Sequence, residues 1–258
     1  MESGRERIAM QDPGSEIQRP KKTATLLAQR LISEITDRNL EPGSPLPSER
    51  SMLDQYGVAR GSMREALRYL EIQGVIQIKT GPGGGPIVSR TEPRHLANVL
   101  AMQLQLENTS FREVLEVRAV LEPILARRAA QSATEEDLKT LEESIERMRE
   151  LIDSGAAFLG ENGVFHRALA EMAGNQVFAL INSSMLWISD RTRLAVEFPA
   201  GYRERVCGEH ERIFSAIADR DPDRAAAAMS LHVADFIAFL EENYPSVVEA
   251  RVRWEQIS

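Results

Sequence analysis

The sequence predicts a mainly α-helical protein, in which an N-terminal winged helix-turn-helix is followed by an all-α helical bundle. The winged domain is predicted by three helical segments separated by turn residues in 23–74 and by a hairpin pattern in 74–90. The bundle is predicted because helical segments follow one another from residue 92 onward without strand-like alternation. The predicted organisation is a disordered N-terminal tail at 1–20, the winged domain at 21–90, the bundle at 91–244 and a C-terminal tail at 245–258.

Apolar spacing and capping residues predict the first two helices and the turn after them. Residues 23–39 carry apolar side chains at helical spacing, and the proline-rich stretch around Gly43 breaks this helix. Ser48 is placed as the N-cap of a short second helix at 48–56, and Gly57 suits the left-handed position that follows it. Because only a few residues separate Gly57 from the next helix, the segment predicts a helix-turn-helix.

The third helix lines up three arginines in a chain that is acidic overall. Arg60, Arg64 and Arg68 are spaced four apart, whereas the whole chain has a formal net charge of −8. Residues 21–90 hold ten Lys and Arg against seven Asp and Glu, so basic charge is concentrated in the winged domain. The first residues of such a helix can bind guanine edges or phosphates in the major groove of DNA. The alternative is a solvated basic face in which Arg64 or Arg68 pairs with a glutamate of the same helix.

The segment after this helix predicts a hairpin with a glycine-rich tip. Ile76 and Ile78 alternate with polar residues, and Ile87 and Val88 form a second apolar pair. The loop TGPGGGP between them would let the backbone approach a phosphate or the minor groove closely. It is not a nucleotide-binding P-loop, because no Gly-Lys-Ser/Thr follows and the loop leads into a strand.

The stretch LEPGSPLPSERSMLDQYGVARGSMREALRYLEIQGVIQIKTGPGGGPIV resembles the GntR family of bacterial transcription regulators. The run PG…LPSER…REALR.LE..G.I is specific to that family. The resemblance implies a homodimer whose two winged domains bind double-stranded DNA at an inverted repeat. The residues predicted to contact DNA are Arg50, Arg60, Ser62, Arg64, Lys79, Gly83 and Gly84.

One position departs from the family pattern. The family usually has serine just before the first arginine of the recognition helix, and this chain has Ala59. Losing a side-chain N-cap costs about 1 kcal/mol of helix stability. Ser62 and Glu65 form an S-x-x-E capping box that could restart the helix three residues later. The sequence therefore leaves open whether Arg60 lies inside the helix or before it.

The segment from residue 92 onward predicts a bundle of seven helices with its own core. Polar and turn-forming stretches such as ENTS, DSG, AGN and RDP separate the helices. The predicted ranges are 92–106, 110–131, 135–153, 157–173, 176–197, 201–219 and 222–243.

Three of the four histidines lie on the apolar sides of three different predicted helices. His166, His210 and His232 each lie at helical spacing from apolar residues. A bundle could therefore bring three imidazoles to one interior point, and neutral imidazole is a good ligand for zinc and related metals. Asn162 precedes His166 by one helical turn, so its amide oxygen would reach the same point. The alternative is that each histidine is a satisfied core residue.

The runs FREVLEVRAVLEPILARRAA, FHRALAEMAGN and EHERIFSAIADRDPDRAAAAM resemble the FCD effector-binding domain of the FadR branch of this family. The resemblance implies a metal site at Asn162, His166, His210 and His232. Metal-binding members have an acidic residue at the first of these positions. Asparagine at this position removes one negative charge, which is expected to weaken the binding of the metal.

The resemblance also assigns an effector-binding role to Arg118. This arginine would grip a carboxylate through two nitrogens, and its alternative role is pairing with Glu122. The predicted function is a homodimeric regulator whose operator binding is controlled by a small organic acid, bound on Arg118 and on a divalent metal, zinc or nickel. Two alternatives are a metal-free regulator that responds to acyl-CoA and a metal-dependent enzyme. The enzyme alternative is disfavoured because the sequence shows no nucleophile with its base, and because an enzyme would give the winged domain no role.

Composition predicts a cytoplasmic protein without a membrane partner. No run of about 18 apolar residues is present, and the N-terminus lacks the apolar core of a secretory signal. Cys207 is the single cysteine, which excludes an internal disulfide framework and fits a reducing compartment.

Overall fold

The computed structural model describes residues 20–81, 84–90, 92–190 and 196–256. The chain divides into two compact units, residues 1–91 and 92–258. The N-terminal tail expected at 1–20 lies, apart from its last residue, outside the described residues. Gly83, one of the predicted DNA contacts, lies outside them as well.

The N-terminal unit is a winged helix-turn-helix, as the sequence predicts. Its elements in chain order are α1 (Pro20–Asp37), α2 (Glu49–Tyr56), α3 (Arg60–Ile72), β1 (Ile76–Lys79) and β2 (Gly85–Val88). The two strands pair antiparallel, with Ile76 opposite Val88 and Lys79 opposite Gly85. The core lies where α1 packs on α3, and Leu31, Met63 and Leu70 are buried there. Burial of this apolar face leaves the opposite side of α3 exposed.

The turn between α2 and α3 has the predicted caps. The Ser48 hydroxyl oxygen accepts a hydrogen bond from the Ser51 N–H, and Gly57 adopts the left-handed conformation with φ 61°. Helix α3 then begins at Arg60, and its N-cap, Ala59, makes no side-chain hydrogen bond. Arg60 is therefore the first helical residue, and the helix does not restart at the Ser62 capping box. Packing of Met63 and Leu67 on α1 and α2 fixes α3 from its first turn without a side-chain cap.

The described part of the C-terminal unit contains seven long helices. They are α4 (Pro93–Leu106), α5 (Phe111–Ser132), α6 (Glu135–Glu150), α7 (Gly155–Met172), α8 (Gln176–Ile188), α9 (Ala200–Ala218) and α10 (Pro222–Asn243). Helix α5 is central and packs against α7, α8, α9 and α10. All but one of the helices end within three residues of the predicted positions. The exception is α8, which ends at Ile188 rather than at 197.

The early end of α8 follows from the polar stretch SDRTR at 189–193, which interrupts the apolar spacing. Residues 191–195 lie outside the described residues. Val196 and Phe198 are buried in the core without helical structure, and Pro199 then caps α9.

The segment at 245–258 is not a free tail, because its described part packs against the bundle. It contains α11 (Pro245–Val248) and a 3₁₀ turn (Trp254–Gln256). Val248 and Val252 are buried in the same core as α4 and α5. Two backbone hydrogen bonds, from the Phe111 N–H to the Ala250 oxygen (2.8 Å) and from the Val252 N–H to the Thr109 oxygen (3.0 Å), join this segment to the start of α5. In the sequence, the apolar residues Val248 and Val252 indicated that this segment could pack against the core.

Among the described helices, none combines the length and the apolar character needed to cross a bilayer.

A chain that ends at Tyr244 is expected to melt at a lower temperature than the full chain. It loses the buried Val248 and Val252, and burying one valine side chain contributes about 1.5–3 kcal/mol. A chain that ends at Arg253 is the control, because it keeps both valines. The measurement is thermal unfolding followed by circular dichroism. Equal melting temperatures for the Tyr244 chain and the full chain would show that the segment contributes nothing to the core.

Candidate metal and effector site

Three histidines from three helices meet in the interior of the C-terminal unit. His166 lies on α7, His210 on α9 and His232 on α10, and their exposed fractions are 1%, 0% and 5%. One ring nitrogen from each lies within 4.8 Å of the others. The structure therefore brings together the three histidines that sequence analysis placed on apolar helix faces.

Two of the three rings already have the spacing of metal ligands. The Nε2 atoms of His166 and His232 are 3.3 Å apart. Nitrogen ligands at the zinc–nitrogen distance of about 2.0–2.1 Å, placed tetrahedrally, are roughly 3.3 Å from one another. The donor set of neutral imidazoles is one that zinc and nickel accept. The residues present thus fit a divalent transition metal.

Each of these two rings is held from behind by a buried carboxylate. The Nδ1 atom of His166 lies 2.8 Å from Oε2 of Glu122, and the Nδ1 atom of His232 lies 2.7 Å from Oε2 of Glu209. A carboxylate can only accept, so the Nδ1 of His232 carries the proton and donates it to Glu209, and the nearby carboxylate of Glu122 favours the same tautomer for His166. The Nε2 lone pairs then face each other, which is the tautomer that a metal-binding histidine needs.

Burial keeps His166 in the neutral form that binds metal. Desolvation lowers the pKa of His166 to about 4, although the Glu122 carboxylate opposes this shift. Burial alone would raise the pKa of Glu122, but Arg118 and His166 outweigh it and hold the pKa of that carboxyl well below its usual range. At neutral pH the pair is therefore a carboxylate facing a neutral imidazole.

His210 is fixed by an apolar wall. Its ring stacks on Phe165 with the centroids 3.9 Å apart and the planes 11° from parallel. It meets the ring of His166 nearly edge-on, at a centroid distance of 5.2 Å. Stacking on a fully buried phenylalanine restricts the orientations that this imidazole can take.

Arg118 on α5 pairs with Glu122, which is one of the two roles that the sequence allows for this arginine. Its Nε donates to Oε1 of Glu122 at 2.6 Å, and its Nη1 donates to the Ser189 hydroxyl at 3.2 Å. Its guanidinium carbon lies 5.1 Å from the centre of the Phe236 ring. Glu122 thus bridges Arg118 and His166. The binding of an effector carboxylate by Arg118 stays a prediction.

A cavity of about 360 Å³ adjoins the histidine cluster. Arg118, Asn162, His166 and His232 line it together with Gly160, Trp187, Ser189 and Tyr202. His210 is not part of the cavity wall and lies behind the other two rings. The Oδ1 atom of Asn162 is buried and has no hydrogen-bond partner among the described residues. An orphaned buried oxygen one turn before His166 is available to a bound ion or ligand.

Sequence analysis missed Glu209 and saw Glu122 only as a partner of Arg118. Both glutamates carried a sequence signal, because each lies on an apolar helix face. Glu209 lies three residues after Val206 and four before Ile213. A charged residue in such a position needs a buried partner, and here that partner is His232.

In the N-terminal unit, the predicted DNA contacts form an exposed basic surface. Arg50, Arg60, Arg64 and Lys79 are exposed, and Ser62 is half-buried. Within the described residues neither these four cations nor Arg68 forms an ion pair, so the glutamates of α3 do not neutralise Arg64 or Arg68. Arg50 and Arg60 line one groove at the α2–α3 turn.

Gly84 shapes the wing of this unit. A Cβ atom at this position would lie 2.3 Å from the Lys79 carbonyl oxygen, so only glycine fits the close turn of the hairpin.

Comparison with known proteins follows the same division of the chain. Residues 23–84 match the family model for bacterial regulatory proteins of the gntR family, and residues 113–235 match the model for the FCD domain. The HTH-type transcriptional repressor NanR of Klebsiella aerogenes is 31% identical over 225 residues, which cover 80% of this chain and 84% of that protein. NanR of Escherichia coli K12 is 31% identical over 83% of this chain and 82% of its own length. A solved structure of Streptococcus agalactiae GntR is 25% identical, with a TM-score of 0.62 over 83% of this chain and 98% of that chain.

Proposed function

Because the chain belongs to the GntR family of bacterial regulatory proteins and carries an FCD domain, we propose that a small organic acid, bound at a metal site in the C-terminal unit, controls its binding to operator DNA. The protein is a DNA-binding transcription regulator, and its relatives are named as regulators rather than enzymes. The observation that carries the proposal is the cluster of three buried histidines, two of them oriented by carboxylates. The relatives named NanR are transcriptional repressors, which supports repression as the direction of control, and we propose that this control takes place in the cytoplasm.

His166, His210 and His232 would hold the divalent ion, with the Asn162 oxygen as a weak fourth ligand. The 3.3 Å spacing of two Nε2 atoms supports zinc, and the all-nitrogen histidine set also suits nickel. When bound, the ion would supply a positive centre with a coordination position open to an oxygen of the effector. The histidines lie on α7, α9 and α10, so a bound ion would also tie these helices together and stabilise the unit.

The adjoining cavity is suited to an organic acid. Arg118 lines it and is fixed by Glu122, Ser189 and Phe236, so a carboxylate would meet an arginine that is already oriented. Trp187 and Tyr202 add aromatic surface to the same wall. A cavity of about 360 Å³ falls within the range of small-molecule sites. To act as a switch, the effector must bind the DNA-competent and DNA-incompetent states with different affinity.

A homodimer is the assembly we propose, formed through the C-terminal unit. Helix α8 packs against both α4 and α5. Together these three helices expose apolar side chains, namely Val99, Met102, Leu106, Val117, Val120, Ile124, Val177, Leu180 and Ile181. We take these side chains as the dimer face, because large exposed apolar patches mark interaction sites. A two-fold contact there would match the symmetry of an inverted-repeat operator.

Metal content tests the site directly. Wild-type protein, prepared without an affinity tag or chelator and offered zinc, nickel and manganese, is expected to hold about one ion per chain, because three imidazoles converge. His210→Ala and His232→Ala are expected to hold none and to lose the rise in melting temperature that the metal gives. His95→Ala is the control, since His95 lies outside the cluster. The measurement is elemental analysis with thermal unfolding. A metal-free wild type would make the histidines core residues and favour the metal-free, acyl-CoA-responsive regulator.

Arg64→Ala is expected to weaken operator binding by roughly 1–3 kcal/mol if Arg64 binds a base edge. Arg30→Ala is the control, because it removes the same charge from an exposed position on α1. The probe is the duplex that wild-type protein selects from a random library, and binding is measured by fluorescence anisotropy at several salt concentrations. Equal binding by Arg64→Ala and wild type would remove Arg64 from the interface.

Val120→Glu is expected to convert the dimer into a monomer of 28.8 kDa, because it places a charge in the apolar patch. Leu231→Glu is the matched control, since Leu231 on α10 is as exposed as Val120, at 72% against 68%, but lies outside the patch. Light scattering at micromolar concentration gives the masses. A monomeric wild type would contradict the proposed assembly, and a dimeric Val120→Glu would contradict the proposed face.

A further inference from the structure

We propose that Glu209 is the principal source of negative charge for a cation at the three-histidine cluster, and that it acts from behind His232 as a positioning residue. The inference rests on the metal site of the proposed function. It goes further by naming a residue that touches no ion, and by ranking Glu209 above the other buried carboxylate, Glu122.

The need for such a charge follows from the donor set. Three neutral imidazoles and the amide of Asn162 carry no negative charge between them. All four side chains are at least nine-tenths buried, so water cannot compensate two positive charges there. Placing an ion in a poorly solvated interior is costly unless opposite charge lies nearby. Before an effector binds, the compensating charge therefore comes from carboxylates just outside the ligands.

Glu122 and Glu209 are the two carboxylates in contact with the clustered histidines in the described structure. Both are buried, with exposed fractions of 1% and 7%. Oε2 of Glu209 accepts a hydrogen bond from the Nδ1 of His232 at 2.7 Å, and Oε2 of Glu122 lies 2.8 Å from the Nδ1 of His166 without the geometry of a hydrogen bond. This contact makes the facing Nε2 a stronger donor to a metal, because a carboxylate draws the Nδ1 proton.

The surroundings of the two carboxylates differ. Glu122 also accepts from the buried Arg118 at 2.6 Å, and the two opposite charges largely cancel at the distance of the cluster. In the part of the chain that the structure describes, the cation that pairs with Glu209 is Arg212, at 4.0 Å and with a side chain that is 68% exposed. Solvent weakens that pair. Asp235 also faces Glu209; it pairs with Arg205, but burial and the Glu209 carboxylate together raise the pKa of Asp235. Glu209 therefore keeps more of its negative charge available to the site.

The test compares the dissociation constant for zinc among variants of the full-length protein, by competition with a chromophoric chelator. Glu209→Gln keeps an oxygen that can accept from His232 but removes the charge, and it is expected to weaken zinc binding by about 10–100-fold. Glu211→Gln is the matched control, because it removes the same charge from the same helix at a half-buried residue that pairs with Arg149. That variant is expected to bind zinc as wild type does.

A rescue separates charge from structure. Asn162→Asp places a carboxylate beside His166, so the double variant Asn162→Asp, Glu209→Gln is expected to recover most of the lost affinity. Asn162→Asp is expected to strengthen zinc binding by a larger factor in the Glu209→Gln background than in wild type, whereas a purely structural role for Glu209 gives equal factors in the two backgrounds. Cobalt is the second probe. Its visible spectrum is expected to be the same in wild type and Glu209→Gln once each is saturated, because the three histidine ligands are unchanged.

Glu209→Asp covers the case in which Glu209→Gln folds poorly. It keeps the charge on a shorter side chain and is expected to bind zinc more tightly than Glu209→Gln. Equal losses in these two variants, or no rescue by Asn162→Asp, would overturn the role of charge at Glu209. Unchanged zinc affinity in a folded Glu209→Gln would overturn the role of the residue altogether. A wild type without metal would overturn the proposed metal site, and this inference with it. That outcome is distinguishable from the two above, in which the wild type binds zinc and only the role of Glu209 fails.

Discussion

Five buried polar side chains form one line of contacts through the C-terminal unit, and the arrangement of its helices depends on them: Arg118, Glu122, His166, His232 and Glu209. A buried charge is costly unless it is paired and hydrogen-bonded. Each charge in this line has its partner within the line, Glu122 with Arg118 and His166, and Glu209 with His232, so sliding one helix by a turn would strand a charge at a cost of about 3–5 kcal/mol. The line therefore sets the register of α5, α7, α9 and α10 against one another, which apolar packing alone does less strictly.

The same line connects two sites that have different chemistry. At one end Arg118 faces the cavity, where an organic acid would bind, and at the centre the Nε2 atoms of His166 and His232 face each other. Glu122 touches both Arg118 and His166, so a ligand that pulls on the arginine acts on the orientation of the imidazole. At the other end Glu209 lies between His232 and the groove on the outside of α9 and α10. A bound effector, a bound ion and the positions of the helices would thus be coupled through direct contacts.

The N-terminal unit handles its charges in the opposite way. Its arginines lie on the exposed side of α3, away from the apolar core that α1 and α3 share. Exposed cations cost little to keep unpaired, because water solvates them. They remain available to phosphates, whose neutralisation releases counterions and drives binding. One chain therefore buries its paired charges where it would sense a ligand and exposes its unpaired charges where it would bind DNA.

The sequence by itself determined the winged domain, the seven helices and the three histidines, because caps and apolar spacing act within a few residues along the chain. It could show that Glu209 and Val252 were candidates for burial, but not what they would meet. Only the tertiary structure decided that Glu209 pairs with His232, 23 residues away on another helix, and that Val252 joins the core beside α5. Periodicity fixes which face of a helix is buried. The rotation and height at which two buried faces meet depend on the packing of every side chain between them.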